Sequence, residues 1–280
     1  MNEKLLAQAV ETFAHVGERF SDAALAKPWQ WGAYDEGVRF AFFLTYQELR
    51  ELATQTAAQR AIHGPAITSA QRILAQHHSA YRDLCGILVG VGEDELDPVP
   101  MEEEWPLRDV LGHIIDTEQT FFSVIRYAVD RHRSGNQRPL EMPESEEEEE
   151  MEDETDNSQG TLKQILANYE MMHDQIVHEL ASISEAELHA PSLWREGYPL
   201  EVGFRLHRFD AHLRQHTIQI EKTLVGIGHQ PNEAEHLLRI IYGALGETEG
   251  ARIGAWEANA GQWYNVAAAL VNRAAEIAKV

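Results

Sequence analysis

His212 and His216 are the one His-x-x-x-His pair among the fourteen histidines of this 280-residue chain. Residues four apart share a helix face, and these two fall on or beside the apolar line Val202, Leu206, Phe209, Leu213, Ile220, Leu224. Two imidazoles would therefore point together into a dry interior, where polar groups need partners. A metal ion is one partner that both can share. The competing reading is a pair of hydrogen-bonded core histidines in a metal-free helical interaction protein.

A third ligand decides between these readings. His113 lies at the edge of the stripe Leu107, Leu111, Ile114, Phe121, Ile125, and helix packing could carry it to the pair. His77 and His173 also sit on apolar stripes, and Glu118 is a further candidate. His207, five residues before His212, should point away. Three imidazoles leave coordination positions open, as in catalytic rather than structural sites. An open divalent cation lowers the pKa of a bound water to ~7 or deprotonates a bound thiol. Hydrolysis and thiol transfer are the corresponding chemistries. Cys85, the single cysteine, reads as a core thiol rather than a nucleophile. Arg205, two turns before His212, reads as an exposed guanidinium by default, or as a partner for an anionic ligand. The chain carries no Gly-rich phosphate loop, serine nucleophile elbow or His-Glu-x-x-His signature.

The elements that must hold these residues are helical throughout, and no convincing alternating strand appears. Helical periodicity predicts segments at about 3–20, 35–60, 68–89, 105–133, 161–182, 200–224, 232–245 and 256–278. Pro106 suits a first helical turn, Thr161 an N-cap, and Ser184-x-x-Glu187 a capping box. Gly226 and Gly228 suit a helix C-terminus. Ser21-Asp-Ala-Ala-Leu-Ala-Lys-Pro…Trp31 is similar to Ser184-Glu-Ala-Glu-Leu-His-Ala-Pro…Trp194. Either the first two helices are a degraded copy of the fifth and sixth, with Glu48 and Leu52 at the paired-histidine positions, or the likeness is coincidental.

Trp105-Pro-Leu-Arg-Asp-Val-Leu-Gly-His113-Ile-Ile-Asp-Thr-Glu118 resembles the helix-two motif of the DinB/YfiT-like family, a tryptophan ahead of a helix bearing one histidine. Phe209-Asp-Ala-His212-Leu-Arg-Gln-His216-Thr-Ile-Gln219 resembles that family's later His-x-x-x-His motif. The resemblance spans roughly Thr68 to Gly228 and implies an all-α, up-down-down-up four-helix bundle. It maps the family's metal ligands onto His113, His212 and His216. It also implies a metal-dependent transferase or hydrolase acting on a small molecule. A low-molecular-weight thiol of the mycothiol or bacillithiol kind is an implied co-substrate. The metal would be a divalent transition ion, with Zn, Ni and Fe not distinguished. A non-catalytic metal- or ligand-binding sensor module is the alternative. The domain division expected is an N-terminal helical extension at 1–66, the bundle at 67–228 with an acidic loop at 141–158, and a C-terminal helical extension at 229–280. The extensions would cap the pocket, pair with each other or form a homodimer surface.

The net charge of −23 excludes nucleic acid and an anionic membrane surface as natural partners. Eleven acidic residues, with no Lys or Arg, fall between Glu141 and Asp156, which reads as a solvated mobile loop. One cysteine allows no internal disulfide and suggests a reducing compartment. With no signal-like apolar start and no apolar run of spanning length, a cytoplasmic protein is expected.

Overall fold

A computed structural model describes residues 4–143, 156–254 and 260–280. The described residues are helical almost throughout: α1 (Leu5–Gly17), α2 (Val38–His63), α3 (Ser69–Ile87), α4 (Leu107–Arg133), α5 (Leu162–Leu180), a single turn α6 (Glu185–Leu188), α7 (Val202–Gly226), α8 (Glu233–Gly250) and α9 (Ala260–Ile277). Short 3-10 turns sit at Ala24–Ala26 and Glu93–Glu95. Among these residues no helix is long and apolar enough to cross a membrane. Most of the expected acidic loop lies outside the described residues, as does Trp256, the expected start of the last helix.

The chain divides into two compact units. One comprises Ile67–His77 and Gly92–Gly228; the other comprises Met1–Ala66, His78–Val91 and His229–Val280. Residues 78–91 group with the two terminal segments. Cys85 and Val89, on and just beyond α3, pack beside the core formed by Phe13, Phe42, Leu49, Leu238, Ile241 and Leu270.

In the unit built around residues 92–228, α4 packs on α5 and α7. The α4 stripe Leu107, Val110, Leu111, Ile114, Phe121, Ile125 is buried, as is the α7 stripe Val202, Leu206, Phe209, Leu213, Ile220, Leu224. Removing such side chains from water is what holds these helices, at about 1.5–3 kcal/mol each. Helix ends are set locally. The Thr161 hydroxyl accepts from the Gln164 N–H, and the Gln164 side chain returns the bond, a capping box. Ser184 and Glu187 do the same for α6. Pro106, expected inside the first turn of α4, is its extended N-cap instead, with ψ of 161°. Gly228, just past α7, takes the left-handed φ of 97° that favours glycine.

A two-residue antiparallel ladder, β1 (Pro191–Ser192) on β2 (Leu200–Glu201), pairs Pro191 with Glu201 and Ser192 with Leu200. It is too short to show an alternating pattern, which is why periodicity finds no strand there. It delivers the chain into the N-terminus of α7. Arg205, on the first turn of α7, is buried rather than exposed. Its guanidinium donates to both Glu196 oxygens at 2.9 and 3.0 Å and to the Ser192 hydroxyl. It fastens the 192–196 loop to α7.

Candidate metal centre

Helices α4 and α7 bring His113, His212 and His216 together. One donor nitrogen from each lies within 4.8 Å of the other two, a set that could hold a metal ion. His212 and His216 are buried, with 5% and 6% exposure, and His113 is half-buried. His113 Nε2 and His212 Nε2 face each other at 3.3 Å. Ring centroids are 4.7 Å apart for His113 and His216 and 4.3 Å for His212 and His216. Bonds of about 2.0–2.1 Å to a tetrahedral ion would separate two nitrogens by about 3.3 Å, so the observed facing pair has the spacing such an ion requires.

Neighbouring groups orient the rings. Gln219, one turn beyond His216, offers Oε1 to His216 Nδ1 at 2.8 Å. An amide oxygen accepts, so that nitrogen carries the proton and Nε2 keeps its lone pair. Thr117 Oγ1 lies 3.5 Å from His113 Nδ1. Trp105 stands edge-on to His113 at 5.2 Å and is itself 43% exposed. Phe121 packs edge-on to His212, Trp194 and Phe209. His212 Nδ1 is buried with no hydrogen-bond partner among the described residues. Beside His113, Gly112 lets the chain at Ser158 approach α4: a Cβ there would lie 3.0 Å from Ser158 Cβ. Arg108 holds that segment, donating to the carbonyls of Ser158 and Gly160.

Burial, followed by the charge His216 would carry, lowers the pKa of His113, with Asp116 opposing. Burial first, then His216, His113 and Arg208, pushes His212 down to about 3. Both rings are therefore neutral at pH 7, the form that offers a lone pair to a cation.

The other candidate ligands go elsewhere. His77, Glu118 and His173 meet one another in a separate, fully buried cluster. His207 is exposed, as its position on the helix implied. Cys85 is partly buried beside an apolar core. Sequence reasoning did not find Gln219, Trp194 or Thr117 as neighbours of the rings. For Gln219 a signal existed, because a residue three along a helix from His216 shares its face.

The site is thus a three-imidazole cluster between two long helices of an all-helical protein. The sequence model of the DinB superfamily matches residues 74–220, and the chain belongs to that superfamily. No curated protein and no solved structure gives a significant match.

Proposed function

We propose that His113, His212 and His216 hold a divalent transition-metal ion in a site for metal-dependent transfer or hydrolysis of a small molecule, with a low-molecular-weight thiol as co-substrate in the transfer case. The observation that carries this reading is the 3.3 Å approach of His113 Nε2 and His212 Nε2, with His216 oriented by Gln219 toward the same point. A shared proton would join only two of these rings, whereas a cation engages a lone pair from each of the three.

When bound there, a divalent ion with open positions supplies a nucleophile at neutral pH by acidifying a bound water or thiol. The rest of the work belongs to the chain. The low pKa of His212 keeps its ring deprotonated. Phe121, Phe209 and Trp194 exclude water from the buried side. The half-exposed His113 and Trp105 mark the side from which a small molecule reaches the cluster.

Metal analysis of purified protein tests the first half of the reading. Near-stoichiometric transition metal that is lost on His212→Ala/His216→Ala supports it, and a folded protein with no metal at this site overturns it. Conjugation of a thiol to a generic electrophile, and hydrolysis of activated esters, test the second half. Turnover by loaded protein and none by the double variant is expected. Inactivity across several thiols and esters would leave a binding module.

A further inference from the structure

We propose that His77, Glu118 and His173 form a second cation site, closed to solvent and separate from the three-imidazole cluster. It goes beyond the function proposed above and does not depend on it. The three side chains come from α3, α4 and α5, and each is fully buried. One donor atom from each lies within 4.8 Å of the other two. His77 Nε2 is 3.0 Å from Glu118 Oε1, and the rings of His77 and His173 are 4.6 Å apart. Phe209 covers His77 with its ring at 4.9 Å.

The charge balance of this cluster points to a ligand. Glu118 Oε2 and His77 Nδ1 are buried with no hydrogen-bond partner among the described residues. No protonation state of the pair satisfies both atoms. An ionised Glu118 leaves a lone-pair-rich oxygen bare in a dry interior, and a protonated one leaves either an idle hydroxyl or an uncovered acceptor. Burying such an atom without a partner is unfavourable. A divalent cation neutralises the carboxylate and draws on imidazole lone pairs. Two imidazoles and a carboxylate suit a transition ion such as Zn, Fe, Co or Ni. Full burial of all three side chains leaves no path for substrate, the closed character of a structural site. Its consequence is to clamp the start of α3 onto α4 and α5.

The test counts metal in protein purified from cells grown with cobalt. The His113→Ala/His216→Ala protein lacks two rings of the first cluster and keeps the buried one intact. We expect it to retain one equivalent of cobalt, with an absorption spectrum of mixed nitrogen and oxygen ligation, and Glu118→Gln in that background to reduce this to none. A folded His113→Ala/His216→Ala protein with no cobalt overturns the proposal, whatever the wild type binds at its three imidazoles. Should that variant not fold, Glu118→Gln in the wild type decides: a drop from two equivalents to one supports the site, and undiminished cobalt overturns it.

Discussion

Gln219 Oε1 lies 2.8 Å from His216 Nδ1, one turn further along the same helix. That contact fixes which nitrogen of His216 faces His113 and His212. Groups that orient a metal-bound imidazole typically contribute 10–100-fold in affinity. Gln219→Leu should therefore weaken transition-metal binding by roughly that factor, while circular dichroism and melting of the metal-free protein stay near wild type. Competition against a chromophoric chelator measures it; unchanged affinity would remove Gln219 from the site.

The 192–196 loop depends on Arg205. Its bond to Glu196, helped by its charge, holds the Glu196 carboxyl below the usual carboxylate range. In Arg205→Ala that carboxyl should return toward 4.5, followed by side-chain NMR titration. Buried hydrogen bonds to a charged group are lost as well, so unfolding free energy should drop by about 2 kcal/mol. Trp194 fluorescence should shift as its loop loosens, because Arg205 ties that loop to α7.

The legible part of this protein is the part that repeats locally. The α7 stripe displays Phe209, His212, Leu213 and His216 on one face because helical spacing is a property of a few consecutive residues. His113 is one candidate among several from its place at the edge of the α4 stripe, and the resemblance of the Trp105–Glu118 segment singles it out, since packing of α4 on α7 is not written in either helix alone. The meeting of His77, Glu118 and His173 was hidden for the same reason: each sits on its own apolar stripe, and only tertiary packing joins them. Division of the chain at His77 and His78 leaves no trace in the periodicity, which runs unbroken through α3. The aligned Ser21 and Ser184 segments do share local form. Each has a serine hydroxyl accepting a backbone N–H, a helical turn, a short bridged stretch and then a long helix. Leu52 is buried and Glu48 binds Arg273 at the positions aligned with the paired histidines.

Gly112 admits the chain at Ser158 against α4. Its Cβ position already lies 3.0 Å from Ser158 Cβ, and the extra methyl groups of valine would reach further. Gly112→Val should destabilise by about 1–3 kcal/mol, the usual cost of overpacking. Hydrogen exchange should rise at residues 158–162, where Arg108 anchors the carbonyls of Ser158 and Gly160. A neutral effect on both would mean that the segment yields freely.

Glu249 carries the clearest acid dependence. Burial alone would raise its pKa, but the charge of Arg82, then hydrogen bonds from His78 and Arg82, outweigh that and hold it at about 2. His78 lies 2.9 Å away and Arg82 2.7 and 3.0 Å away. A carboxyl depressed in the folded state contributes stability that is fully present above its unfolded value near 4.5 and fades as pH falls toward 2. Glu249→Gln leaves the buried guanidinium of Arg82 without its counter-charge, and breaking such a pair costs about 3–5 kcal/mol. Urea denaturation in chelator should show that full difference at pH 6. The gap between variant and wild type should narrow steadily below pH 4.5, because the wild type loses there what the variant never had. A gap independent of pH would assign the loss to packing instead of charge.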